Sequence, residues 1–283
     1  MAMERIERAL ELARQQRHRT ADLSLAIANA GPVPDFADAA PSVSATTAAA
    51  LDPQHAALVE LPGEQRLREL RLVTPQRNDA VAQSYKLLRT QVLQRVRQHG
   101  MRTLGVVSAA QGEGRTLTAV NLALSLSAET NQSVMLVDLD LRQPSVARTL
   151  DLPTAAGLET FFTVHAPLDS LCRRFAAVPR LTVLPAHAPL AGSSELLAGE
   201  LARELFAALR GAAGGPLVLI DLPPALLSDD VLAIAPLLDG VLVIVAEGST
   251  RREDLARVFE LLRSTPVVGT VLNQSDDAES RER

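Results

Sequence analysis

From Gly100 onward, short runs of Val, Leu and Ile alternate with longer stretches in which apolar residues return every three or four positions. The runs at 103–108, 133–138, 181–184, 217–221, 240–245 and 267–272 predict strands, and the stretches at 115–129, 194–211, 228–235 and 251–263 predict helices. Strands that are apolar almost throughout are buried on both faces, so the pattern predicts an α/β fold with a mostly parallel central sheet flanked by helices. Ligands of such a sheet bind beyond the carboxyl ends of its strands.

The first hundred residues read differently. Residues 3–17 place Ile6, Leu10 and Leu12 or Ala13 among charges, which predicts an amphipathic helix, and 79–98 places Val81, Tyr85, Leu88 and Val92 on one face of a second. Between them, Gly31 to Pro62 is rich in Ala, Pro, Ser, Thr and Asp without a period. The expected organisation is an N-terminal helical segment over 1–30, a flexible linker over 31–74, one large domain over 75–273 and a polar tail over 274–283.

Composition narrows the function. With 283 residues, 47% of them hydrophobic, the chain is long enough for one substantial core. A net charge of -5 offers no footprint for nucleic acid, and 2% aromatics offer no base-stacking platform, so no nucleic-acid partner is expected. The single cysteine, Cys172, excludes an internal disulfide. The charged start Met1-Ala2-Met3-Glu4-Arg5 lacks a signal peptide's apolar stretch, and the most apolar segment, 231–246, is interrupted by Pro236, Asp239 and Gly240; a cytoplasmic location is expected.

Three strand ends carry the candidate chemistry. After the run at 103–108 comes Gln111-Gly112-Glu113-Gly114-Arg115-Thr116-Leu117, where a glycine-rich turn opens a helix. Unpaired N–H groups and the helix dipole converge there, which makes an anion site for phosphates, and Thr116 stands where a Mg²⁺ ligand is needed. The second end is Asp138-Leu139-Asp140-Leu141-Arg142-Gln143-Pro144, whose two acids reach one site: Asp138 for metal-bound water, Asp140 for accepting a proton. The third is Asp221-Leu222-Pro223-Pro224, delivering Asp221 toward the metal.

These motifs resemble those of the bacterial tyrosine kinases of capsule and exopolysaccharide systems, autokinases related to the septum-placing and partitioning ATPases of the deviant P-loop class. The family's loop reads Pro-Gly-Glu-Gly-Lys-Ser/Thr followed by Asn-Leu-Ala; here it is Gln111 to Thr116 and then Asn121-Leu122-Ala123. Its Asp-x-Asp-Leu-Arg-x-Pro is intact from Asp138 to Pro144, and its Asp-x-Pro-Pro from Asp221 to Pro224. Ser194-Glu195-Leu196-Leu197, Asp229 or Asp230, and Gly269-Thr270-Val271-Leu272-Asn273 match further segments, so the resemblance spans roughly 75–275.

The resemblance implies a three-layer P-loop NTPase fold that binds ATP or ADP with Mg²⁺. It implies nucleotide contacts from Gln111, Gly112, Glu113, Gly114, Arg115, Thr116, Leu117, Arg142 and Asn273, metal ligation by Thr116, Asp138 and Asp221, and catalytic roles for Arg115, Asp138 and Asp140. It implies work in polysaccharide assembly or chain-length control beside the cytoplasmic segment of a membrane co-polymerase, which would recruit the chain to the inner face of the membrane, and a homo-oligomer. Three departures weaken the kinase reading. Arg115 replaces the loop lysine, and a planar guanidinium is not equivalent to a compact ammonium at a phosphate. The family's Glu-x-x-Arg-x-x-Arg association helix reads Gln83-Ser84-Tyr85-Lys86-Leu87-Leu88-Arg89, which weakens the family interface. No tyrosine follows Tyr85, so the sequence holds no tail tyrosine to phosphorylate. The expected activity is nucleotide binding with weak transfer; the alternatives are a catalytically inactive interaction module and a partitioning-type ATPase.

Overall fold

The computed structural model describes residues 27–28, 56–74, 77–211 and 215–275. The helix expected over 3–17 and the tail beyond 275 lie outside the described residues. The strands are β1 (Ile27–Ala28), β2 (Ala57–Val59), β3 (Thr103–Ser108), β4 (Val134–Asp138), β5 (Arg173–Phe175), β6 (Val178–Leu184), β7 (Leu217–Asp221), β8 (Gly240–Ala246) and β9 (Val267–Asn273). They form one sheet in the order β1-β9-β8-β3-β7-β4-β6-β5-β2. The six from β9 to β6 run parallel, while β1 lies antiparallel to β9 and β5 antiparallel to β6.

Alternation along each central strand sorts side chains into two cores. Leu104, Val106, Leu136, Leu219, Leu242 and Ile244 face one side, against helices α2 (Ala80–Gln98) and α3 (Arg115–Leu126), following a short α1 (Glu64–Glu69). Val107, Val137, Val218, Ile220, Val241 and Val243 face the other. Val146 of the short α4 (Val146–Thr149) joins the first core, whereas the second layer holds α5 (Leu158–Val164), α6 (Leu168–Leu171), α7 (Ser193–Ala198), α8 (Glu200–Arg210), α9 (Asp230–Ile234) and α10 (Arg252–Leu261) among its helical elements, with Phe161, Leu205 and Val258 buried from α5, α8 and α10. The three-layer P-loop NTPase architecture is therefore present, with a mostly parallel sheet at its centre.

Asp79 starts α2 by accepting a 2.8 Å hydrogen bond from the Ala82 N–H, a cap contributing about 1 kcal/mol. The expectation of one helix over 194–211 is corrected: Gly199, extended at φ -84° and ψ -173°, divides α7 from α8. The expectation of a flexible linker over 31–74 is corrected for its last part. Residues 56–74 supply β2 and α1, and Leu67, Leu72 and Val73 are buried in the first core; the Val73 N–H donates to Asn121 of α3 over 2.8 Å. Residues 31–55 lie outside the described residues.

Candidate phosphate-binding site

The loop between β3 and α3 lies at the middle of the sheet, where β3 has β8 on one side and β7 on the other. Gly112 and Gly114 sit in the left-handed region at φ +80° and +83°. At Gly114 a Cβ would also collide with the Asn273 side-chain amide, which would have to shift. From Gln111 to Leu117 no backbone N–H donates to another group of the described protein. A row of unspent donors at the start of a helix is an anion cradle.

Several residues expected to touch nucleotide hold this loop in shape. Glu113 is 2% exposed; its carboxylate accepts from the Ala110 N–H at 3.0 Å and from the Thr250 hydroxyl. Asn273 Nδ2 donates to the Glu113 carbonyl over 2.9 Å, and Gln274 Nε2 to the Gly112 carbonyl over 2.7 Å. The Gln111 side chain is bonded to Gln143, and the Leu117 side chain packs on the first core. Thr250 and Gln274 escape a reading of the sequence, since each lies beyond a strand end with no motif around it.

Asp138 and Asp221 are neighbours across β4 and β7. Arg115 turns into this acid group: Nε donates to Asp221 Oδ1 at 2.9 Å and a terminal nitrogen to Asp140 Oδ2 at 2.7 Å. Thr116 donates its hydroxyl to Asp221 Oδ2 at 2.6 Å and lies 2.9 Å from Ser145 Oγ. Asp138 Oδ2 accepts from the Ser145 and Val146 N–H groups, both at 2.9 Å, and Asp140 Oδ1 from the Gln143 N–H at 3.0 Å. Of the six carboxylate oxygens, only Asp138 Oδ1 has no partner, and it is buried.

Thr116, Asp138 and Asp221, the residues expected to hold Mg²⁺, are thus brought together beside the loop and bonded to protein groups. Of their carboxylate oxygens all but Asp138 Oδ1 have protein partners, and among the described residues no group of three or more His, Cys, Asp or Glu is arranged to hold an ion. Burial and then Asp221 raise the Asp138 carboxyl well above the ordinary carboxylate range. Burial pulls the Arg115 guanidinium down, but Asp221 and Asp140 outweigh it and keep the group firmly charged.

Arg142, expected at the nucleotide, is taken up elsewhere. It bonds to Asp229 at 2.6 Å, Asp230 at 3.1 Å and Ser194 at 2.7 Å, beside a cleft of about 590 Å³ that Pro189, Ser193 and Glu195 also line. Asp230 is fully buried and also accepts from Ser193 at 2.8 Å. On α2, Arg89 of the weakened association motif is held within the chain by the Ser125 carbonyl and Glu129. Tyr85, from the same motif, is 5% exposed, with Thr118 and Asn121 of α3 as polar neighbours, and its hydroxyl is not presented as a phosphate acceptor.

A glycine loop at the central strand of a mostly parallel sheet, with acids ending the next two strands on one side, β7 and β4, defines the P-loop NTPase class. No protein-family model matches the chain. The Bacillus subtilis tyrosine-protein kinase YwqD is 27% identical over 194 residues, covering 68% of this chain and 80% of that one. The Rhizobium meliloti succinoglycan biosynthesis transport protein ExoP is 30% identical over 183 residues, 62% of this chain but 22% of its own length. The chimerical protein CapA2B2 shares the fold with a TM-score of 0.64 at 20% identity, covering 76% of this chain and 99% of that one. The chain is a divergent member of the family of P-loop ATPases and bacterial tyrosine kinases, related to the capsule kinases. None of the described helices is long and apolar enough to cross a membrane.

Proposed function

We propose that this chain binds ATP or ADP at the Gln111–Leu117 loop and serves polysaccharide assembly as a nucleotide-dependent partner of a membrane co-polymerase, with little phosphoryl transfer of its own. The observation that carries this reading is the division of labour in the loop. The backbone donors from Gln111 to Leu117 are unspent, while Arg115, the residue that should reach the transferred phosphoryl, is bonded to Asp140 and Asp221. Binding draws on the first feature and transfer on a side chain free to move, so the two separate. Asp140, the residue proposed as base, is likewise occupied, and a misplacement of about 1 Å at such a group costs on the order of 100-fold in rate.

The polysaccharide assignment rests on kinship with YwqD, CpsD and ExoP, and the co-polymerase is the partner that ExoP-like context suggests. Recruitment to the inner membrane face follows from that partner. The test is calorimetric titration with ATP and ADP, with turnover and phosphotyrosine on the co-polymerase segment measured in the same samples. Binding with negligible turnover is expected. Absence of binding removes the nucleotide reading, and rapid phosphotyrosine formation by the native chain removes the claim of weak transfer.

A further inference from the structure

The acid cluster beside the phosphate loop has a cation of its own. Five of its six carboxylate oxygens are satisfied by protein donors, two of them by the Arg115 guanidinium, and the sixth, Asp138 Oδ1, is buried. Mg²⁺ takes one or two carboxylates together with waters and phosphate oxygens, and at Asp140 and Asp221 it would compete with Arg115 and Thr116 for oxygens already bonded. The guanidinium stays charged at every accessible pH and carries five N–H donors, two of which are spent here. Three remain, on a residue that opens α3 and belongs to the loop whose backbone N–H groups are unspent.

We infer that Arg115 is a tethered replacement for the divalent metal and makes binding of nucleoside polyphosphates at this site independent of metal. Lysine cannot do the same, because a single ammonium lacks the fork that grips two carboxylates and leaves donors over. The inference rests on the nucleotide reading above and specifies what that binding requires. It also supplies a reason for the weak transfer proposed there, since one fixed monovalent cation does not replace the charge a mobile divalent ion brings to a transferring phosphoryl group.

The experiment is titration of the full chain with ADP in millimolar Mg²⁺ and again in EDTA. The native dissociation constant is expected to change by no more than about twofold between the two, and that of Arg115→Lys to weaken in EDTA by about tenfold or more. A native affinity that falls about tenfold in EDTA overturns the inference and leaves the nucleotide reading standing. No binding in either buffer overturns the nucleotide reading and the inference with it. A second measurement needs no variant: Mg²⁺ alone, added to the native chain, is expected to leave its melting temperature unchanged, and a saturable rise overturns the inference.

Discussion

Arg115 Nε lies 2.9 Å from Asp221 Oδ1, with the arginine side chain 9% and the aspartate side chain 0% exposed, so the first residue of α3 is fastened to the last residue of β7. Removing one partner of such a pair leaves the other charged and buried, at a cost of about 3–5 kcal/mol. Arg115→Ala is therefore expected to lower stability by about 3 kcal/mol in urea unfolding, the low end because Thr116 still donates to Asp221. A loss within about 0.5 kcal/mol of zero, the range of an ordinary surface substitution, would show that the pair contributes nothing.

Gly114 combines φ +83° with the near approach of Asn273. Gly114→Ala is expected to cost about 1–2 kcal/mol from the left-handed backbone alone, and more from the collision. Asn273→Ala in the same chain should recover the collision part and not the backbone part, which two melting curves separate. Full recovery by the second substitution refutes a backbone requirement at this position.

The carboxyl of Asp138 is raised above its ordinary value of 3.8, by burial first and by Asp221 second. A folded pKa above the unfolded one means that the folded state keeps this proton longer, so stability falls as pH rises from about 3.8 through the raised value and stays lower beyond it. Asp138→Asn keeps an oxygen for the Ser145 and Val146 N–H groups and removes the titration. Its melting temperature should decline less than the native one between acidic and neutral pH. Parallel curves would assign the native decline to other groups.

Cys172 is fully buried, and burial pushes its thiol up to about 12. A thiol-specific reagent at neutral pH should leave the native chain unlabelled and react at once in denaturant. Rapid labelling of the folded protein would place the sulfur at the surface.

The central strands were legible because each is apolar on both faces and so leaves an unbroken run, as in Leu217-Val218-Leu219-Ile220. The edge was not. β5 is Arg173-Arg174-Phe175, where buried Arg173 finds the carbonyls of Ala156, Ser170 and Cys172, a long-range solution that no local pattern announces. β2 is hidden in an Ala- and Pro-rich stretch, where three residues of pairing to β5 leave no period to read. In the site, the loop and the acids at the strand ends showed in the sequence because their spacing is local. The direction taken by Arg115 did not, since it depends on Asp140 and Asp221 arriving from two other strand ends at hydrogen-bonding distance. Asn273 was legible as a conspicuous residue, but its work as a brace on Glu113 emerges only from the packing of β9.

Tyr85 has one more consequence. The chain contains no tryptophan and a single tyrosine, which lies between α2 and α3 with the Ser125 hydroxyl donating to its carbonyl at 3.2 Å. Excited at wavelengths beyond the absorption of its six phenylalanines, the molecule therefore emits from one buried phenol, placed on the helix layer that carries the phosphate loop. The protein contains its own optical gauge of whether α2 stays seated on α3.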